Sequence, residues 1–535
     1  MTTEDEASEQ RGLGGGLPND REEFDEATYL ELNPDVARDV AAGMYTSGRE
    51  HWDKYGHSES RVATRPKDFD ELLYLDLNPD VLQAVLTGLC PSGYYHWLQH
   101  GKAEGRPVRP IANVPSNWNE TRYLRLNSNV AEMIRKGVFA SGYEHWVRSG
   151  FWEGRPGGGV RHQKTPIEEA LQAAPMGINM FAFHQTPIGL GAAARGYADI
   201  LRQIVPVNPV DIPWGRAAWP GTLGDNCPYA INFVHVNPET LPKFLGHGGK
   251  RALASRYNVG LWIWELHGGY APWHALSRYF NEIWTASSFS AAAIQPVSTA
   301  PVHVIPYVVD EVPIQSAFHR AKFGLEERAF LFLYIFDPAS SFDRKNPLAL
   351  IRAFRQAFGD RRDVQLVLKY HHAEADPAPT KLLERLVQSA TNIRAIDETF
   401  SEDQLNGLLH CCDCFVSPHR SEGLGLNIAR AMLHGKPVIA TGYSGNMDFT
   451  TPENAFLIEY DLVALERDTG IYKTNFVWAE PSEDHLALLL RTVIDAPEAA
   501  LRRAALGRRS VQERCGPKAV SEALCQRLKA WGVQR

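Results

Sequence analysis

A single carboxylate, Glu422, stands in a short glycine-bearing turn, Ser421-Glu422-Gly423-Leu424-Gly425, between an apolar run ending at Ser417 and an amphipathic run from Leu426 to Met432. A second apolar run, Pro437 to Ala440, leads into another glycine loop that carries Ser444, Gly445 and Asn446. The pattern is a strand end, a turn, a helix, a strand and a second loop. Turn glycines let backbone N–H groups approach an anion at a helix N-terminus, where the helix dipole also favours negative charge. A carboxylate at the same point can accept hydrogen bonds from the hydroxyls of a polyol such as a sugar.

The first half of the chain has its own loop of this kind. His184, Gly189 and Gly191 lie between an apolar run ending at Phe183 and an alanine-rich helical stretch. A lone Gly-x-Gly says little, but strand, loop and helix in that order suit a phosphate-facing loop. His235 and Asn237 end a further apolar run, and Glu265 ends the aromatic block Leu261 to Trp264. His235 can serve as a neutral imidazole in a site or as a satisfied core histidine. The tryptophans around Glu265 read as core more than as a sugar platform.

Elements that position these residues can be read from hydrophobic patterning. From Gly177 onwards, short and nearly continuous apolar runs alternate with amphipathic helical patterns: 177–183, 230–236, 259–264, 283–286 and 302–305, then 329–335, 364–369, 392–396, 414–417 and 437–440. Such runs are the strands of parallel sheets covered on both faces. Two successive sets predict two doubly wound domains with ligands at the carboxyl ends of the strands.

Ahead of them an internal repeat stands at Tyr29, Tyr74 and Tyr123, about 45–50 residues apart. Each copy continues through Asn and closes with Ser-Gly, His-Trp, Gly and Arg: Ser47, His51, Gly56 and Arg61; Ser92, His96, Gly101 and Arg106; Ser141, His145, Gly150 and Arg155. The unit reads as two short helices joined through a glycine turn, and the copies are expected to stack because one alone cannot bury its apolar face. The His-Trp pairs read as packing, and no chemistry is expected in this module.

The expected boundaries are 1–22, a disordered tail; 23–156, a three-repeat helical module; 157–175, a linker; 176–312 and 313–515, the two sheet domains; and 516–535, a final helix crossing back to tie them together. The glycine-rich tail lacks the apolar residues to offset its ordering entropy. The net charge is −8 in 535 residues, which excludes a nucleic-acid surface, since phosphate neutralisation needs clustered Lys and Arg. No run approaches the ~20 apolar residues of a membrane helix, and the N-terminus lacks a signal-peptide pattern. Seven scattered cysteines suit a reducing compartment, so a cytoplasmic location is expected, with peripheral attachment at the inner membrane as a variant. Cys411, Cys412 and Cys414 resemble a metal cluster but lack a distant second pair, and read as small buried residues. Ser401 to Gln404 is a capping box without chemistry. His371 and His372 follow a strand at the expected cleft edge, and their role stays open.

The stretch Ser417 to Asn446 resembles the donor-binding half of retaining GT-B glycosyltransferases of the family-four type (glycosyl transferase group 1). The resemblance extends from about Gly177 to the C-terminus. It implies an α/β fold of two Rossmann-like domains facing a cleft, here behind the all-α repeats. It implies transfer of a glycosyl group from a nucleoside-diphosphate sugar to an acceptor hydroxyl with retained configuration, without an obligatory metal or other cofactor. Residues implied at the donor are Arg344, Lys345, Gly189, Gly191, Glu422, Gly423, Leu424, Gly425, Arg430, Ser444, Gly445 and Asn446. Glu422, His235 and Lys345 are the catalytic candidates, and Glu265, Asn237 and His184 the acceptor pocket. Lys345, with Arg344 beside it, would meet the diphosphate and stabilise charge on the leaving group. The sequence departs from the family at Arg430, where relatives carry a second glutamate that holds the ribose; an arginine cannot accept a hydrogen bond. Near the phosphates, where many relatives add an arginine, it has Pro338, Ala339 and Ser340. The module before the catalytic half resembles repeats of bacterial surface-polysaccharide proteins. Surface-polysaccharide or glycoconjugate synthesis is therefore expected, with a carbohydrate, lipid-linked or protein acceptor and a protein partner on residues 23–156. The alternative is a non-catalytic sugar-nucleotide-binding or scaffold protein that keeps the fold.

Overall fold

In the computed structural model, the described residues are 24–59, 61–64, 69, 71, 74–75, 78–104, 106, 120–135, 138–139, 141–146, 164–186, 189–213, 219, 223–270, 272–468, 472–474 and 476–533. The tail expected at 1–22, the linker's first part at 157–163, and Gly150 and Arg155 of the third repeat lie outside them.

Two six-stranded parallel sheets form the body of the protein. The first contains β1 (Ile178–Ala182), β2 (Val207–Asp211), β3 (Ile231–Val234), β4 (Tyr257–Leu261), β5 (Glu282–Thr285) and β6 (Val302–Val304), in the order β2-β1-β3-β4-β5-β6. The second contains β7 (Phe330–Ile335), β8 (Val364–Tyr370), β9 (Ile393–Asp397), β10 (Cys414–Ser417), β11 (Val438–Thr441) and β12 (Phe456–Ile458), in the order β12-β11-β10-β7-β8-β9. Central strands such as β1, β3, β8 and β10 are buried along their whole length, as strands covered by helices on both faces must be. The α/β class and the two doubly wound halves read from the sequence are borne out. An antiparallel hairpin, β13 (Tyr460–Ala464) and β14 (Val477–Pro481), is added beyond the second sheet.

The chain returns to the first half through the helices Pro497–Cys515 and Pro517–Ala530. Their anchor is Glu282 on β5, only 3% exposed. It accepts hydrogen bonds from Tyr257 at 2.6 Å, Trp284 at 3.0 Å, Arg527 at 2.5 Å and Trp531 at 2.9 Å. A buried carboxylate is tolerated only with partners of this number and charge.

Each signature residue of the repeat has a structural task. The serine caps a short helix: Ser47, Ser92 and Ser141 each accept from a backbone N–H three residues on. The histidine bonds the repeat's tyrosine, Tyr29 to His51 and Tyr74 to His96 at 2.9 Å, and Tyr123 to His145 at 2.8 Å. The glycine is required because a β-carbon at Gly56 or Gly101 would stand 2.6 or 2.1 Å from that tyrosine's hydroxyl. The arginine reaches back to the aspartate in the first turn of the same copy's second helix, Arg61 to Asp35 and Arg106 to Asp80. The His-Trp-Gly stretch is itself helical, so the first copy holds three helical segments, Glu26–Leu32, Pro34–Ala41 and Gly48–Gly56, where two were expected.

Among the described residues the copies do not form one continuous stacked core. Tyr29, Val36 and Ala63 make a small cluster of their own, as do Tyr123, Val130, Tyr143 and Trp146. The second copy instead shares a core with the first sheet: Tyr74, Leu75, Val81, Leu82, Val85, Leu86 and Cys90 pack with Phe181, Trp219, Trp262 and Trp273. Tyr270 fixes the contact by donating to the Val85 carbonyl at 3.0 Å.

Candidate active site

A cleft of about 880 Å³ opens between the carboxyl edges of the two sheets. Glu422 lies on its wall in the turn after β10. Gly425, with φ +87°, ends the turn in a conformation that favours glycine and starts the helix Leu426–Leu433. Gly423 is required by proximity, since a β-carbon there would stand 2.3 Å from Ile263 of the opposite half. The two halves are stitched at this point. Ser287 donates to the Gly423 carbonyl at 2.5 Å, Ser421 donates to the Glu265 carbonyl, and the Ser288 N–H donates to Asp448 at 2.7 Å.

Lys345 places its ammonium 2.5 Å from Glu422 Oε1, and Arg344 lies 3.5 Å from Oε2. Burial alone would raise the Glu422 carboxyl, but the two cations outweigh it and hold the group down at about 2. Arg344 is only 1% exposed. It donates to the Ser421 carbonyl and to the Ser340 carbonyl, each at 2.8 Å, and lies 3.7 Å from Glu265. It therefore ties the two loops and the opposite wall to one another, while the Lys345 ammonium is bonded to Glu422. Across the cleft, Tyr472 donates to Glu265 at 3.0 Å.

The cleft wall includes Gly189, Asn237, Glu265, Arg344, Lys345, Glu422 to Gly425 and Arg430. It does not include the other expected residues. Gly191 packs inside its loop, where a β-carbon would stand 2.3 Å from the Thr186 carbonyl. His184 turns to the Met180 carbonyl at 3.0 Å. Ser444, Gly445 and Asn446 stand behind Glu422: Ser444 accepts from the Glu422 N–H at 2.8 Å, the Gly445 N–H donates to the Glu422 carbonyl at 2.9 Å, and Asn446 meets His419 at 3.0 Å. They shape the turn and do not face the cleft. His235 is corrected most. It is fully buried among Phe233, Tyr197 and Tyr307, with its Nε2 3.4 Å from the Tyr307 hydroxyl, and Tyr307, not His235, reaches the cleft. Burial, with His184 nearby, lowers its imidazole to about 3.

The wall also holds residues the sequence reading passed over. Lys369, at the end of β8, is lowered to about 8 by burial. Glu239, on the opposite wall, is pushed up to about 7 by burial, with Glu265 adding to the rise. Glu402 bonds Arg430 at 2.8 Å and lies 3.6 Å from Arg195 of the first half. The capping box is present, but it uses Ser401 and Gln404, so the Glu402 carboxylate is not consumed by it. Leu86 and Thr87 of the second repeat also line the cleft. Cys411, Cys412 and Cys414 are buried free thiols. Among the described residues no helix is long and apolar enough to cross a membrane.

Residues 337–467 match the family described as Glycosyl transferases group 1. Over 235 residues the chain is 24% identical to a trehalose synthase of Rubrobacter xylanophilus, an alignment that takes in 37% of this chain. The chain spans about half the length of that curated relative, 53% of it. Among solved structures, Anabaena HepE in complex with UDP and glucose is similar at 18% identity with a TM-score of 0.48, over 66% of this chain and 100% of that one. Sucrose-phosphate synthase from Thermosynechococcus elongatus is similar at 15% identity with a TM-score of 0.48, over 66% of this chain and 98% of that one.

Proposed function

We propose that the protein is a retaining glycosyltransferase that moves a sugar from a nucleoside-diphosphate donor to an acceptor hydroxyl in the cleft between the two sheets. The observation that carries this reading is the meeting of Lys345, Arg344 and Glu422 at the glycine turn, inside the stretch that matches the group 1 family. In that reading the Lys345 ammonium leaves Glu422 for the donor diphosphate and stabilises the charge that builds on the leaving group. The Glu422 carboxylate, ionised at any physiological pH, is then released to accept hydrogen bonds from the sugar hydroxyls. Gly189 and the turn N–H groups offer further donors to phosphate oxygens.

Most of the rate would come from positioning and charge stabilisation, with the departing phosphate taking the acceptor proton. The acceptor would lie beside Asn237, Glu239 and Glu265, which line the cleft together with Leu86 and Thr87. The serine stitches between the halves would keep out water that otherwise hydrolyses the donor. A role in surface-polysaccharide or glycoconjugate synthesis is part of the proposal and rests on the resemblance alone.

Arg430, standing where relatives carry a ribose-holding glutamate, would suit a non-catalytic scaffold. Its partnership with Glu402 supplies a carboxylate to the same part of the wall, which favours a working donor site. The decisive experiment incubates the full-length protein with UDP-, GDP- and ADP-sugars and measures nucleoside-diphosphate release, with and without cell-extract acceptors. One donor should be consumed, and Glu422→Gln should lower the rate by about 100-fold or more, as for loss of a group aimed at transition-state charge. Absence of turnover with every donor, or a Glu422→Gln protein as active as the original, overturns the proposal.

A further inference from the structure

We propose that Asp337, His371 and His372 form a binding site for a divalent transition-metal ion on the donor wall of the cleft. Neighbouring parallel strands bring these residues together. Ile335 of β7 pairs with Lys369 of β8, so the segments leaving the two strands run side by side, one carrying Asp337 and the other the two histidines. His372 Nδ1 lies 3.2 Å from Asp337 Oδ1, and His371 Nε2 lies 3.6 Å from Oδ2. One ligand atom from each residue falls within 4.8 Å of the other two. Ligands bound about 2.1 Å from a common ion stand roughly 3–3.5 Å apart, so small side-chain adjustments suffice.

The local backbone serves this convergence. Adjacent residues leaving a strand normally send their side chains to opposite sides. Here His372 takes a left-handed conformation, φ +61°, and the two imidazoles end with their ring centres 4.2 Å apart against one carboxylate. Asp337 is held in place by the Ala339 N–H, which donates to Oδ1 at 2.9 Å. The buried His371 Nε2 has no hydrogen-bond partner, so in the tautomer protonated at Nδ1 its lone pair is free for an ion. Two imidazoles and a carboxylate suit zinc, cobalt, iron or manganese and leave coordination positions open. Asp337 and His371 line the cleft, so those positions face it. Lys369 and Asp397 are the nearest other charges on His371, and they oppose one another.

An ion there would meet a diphosphate oxygen of the donor and add positive charge to that of Arg344, Lys345 and Lys369 on the same wall. That link to the donor rests on the transferase reading; binding of the ion does not.

The test titrates Co2+ and Zn2+ into chelator-treated, desalted full-length protein, by calorimetry and by Co2+ absorption. One equivalent should bind with nitrogen and oxygen ligand-field bands and no thiolate charge transfer. Asp337→Asn and His372→Asn should weaken it at least about tenfold, the loss that even a supporting residue gives. Asparagine tolerates the left-handed backbone, and an unchanged melting temperature will show that the variants fold. No stoichiometric binding, binding unchanged in both variants, or thiolate bands from the cysteine cluster overturns the site. UDP affinity should rise when the ion is bound. An ion that binds without that rise keeps the site and overturns only its link to the donor.

Discussion

Arg430 and Glu402 form an ion pair at 2.8 Å on the cleft wall, joining the helix after the Glu422 turn to the first turn of the helix Glu402–Cys411. Glu402 also lies 3.6 Å from Arg195 of the first half, so one carboxylate sits between two cations from opposite sides of the cleft. An arginine cannot accept a hydrogen bond from a ribose hydroxyl, whereas Glu402 can. Glu402→Gln should therefore weaken nucleotide-sugar binding by about tenfold, the size of one charged hydrogen bond. Arg430→Ala should cost less, because it leaves the acceptor in place. Calorimetry with the donor identified by turnover decides this, and wild-type affinity in Glu402→Gln removes Glu402 from the donor site.

Lys369 gives the cleft a pH dependence. Its ammonium is lowered from the ordinary 10.5 to about 8 because burial penalises the charge. The positive charge is present below about 8 and lost above it, so affinity for UDP should fall as pH rises from neutrality through 8. Lys369→Met should bind more weakly at neutral pH and lose that slope. A slope that survives in Lys369→Met belongs to another group.

His235 tests the separation of site from core. Its folded imidazole is held at about 3, against an ordinary 6.5, by burial first and by His184 second. A group depressed in this way contributes stability fully above 6.5, and that contribution is lost as pH falls from 6.5 towards 3. His235→Phe replaces the ring by one that cannot be protonated, among neighbours that are already aromatic. Acid unfolding should move to lower pH while turnover stays within about twofold, since the ring does not reach the cleft. A large loss of turnover without loss of stability would return His235 to the active site.

The two sheets were legible because buried parallel strands leave continuous apolar runs, and ten of these were visible. Two of the twelve strands in these sheets were not. β2 carries Asn208 and Pro209 and lies half-exposed at a sheet edge, so neither composition nor periodicity marks it. β12 is only three residues long. At the site, Glu422, Arg344 and Lys345 were legible because glycine turns and cations at strand ends are local patterns. His235 misled because ending a strand does not say which side of the sheet a residue faces. Glu402 was hidden by the capping box, although its place after β9, at the carboxyl edge of the sheet, was a signal that could have found it. The docking of the second repeat left no local trace, since the same signature builds the copy that docks on the sheet domain and copies whose described residues form clusters of their own.

That docking makes the repeats unequal, which truncation can expose. Tyr74 and Val81 are as buried as Tyr29 and Val36 of the undocked first copy, so docking accounts for Leu75, Leu82, Val85, Leu86 and Cys90, worth up to about 7 kcal/mol at roughly 1.5 kcal/mol per side chain. A domain's whole stability is about 5–15 kcal/mol, so removal of this contact cannot be absorbed. It would also uncover apolar surface of the first half that shares this core, around Tyr270. Deletion of residues 1–156 should therefore give aggregated or unfolded protein. Deletion of residues 1–64, which takes only the separate cluster around Tyr29, should give soluble protein with a melting temperature within a few degrees of the full chain. A soluble, cooperatively melting protein after the longer deletion would show that the second repeat is dispensable to the fold and would remove Leu86 and Thr87 as required walls of the cleft.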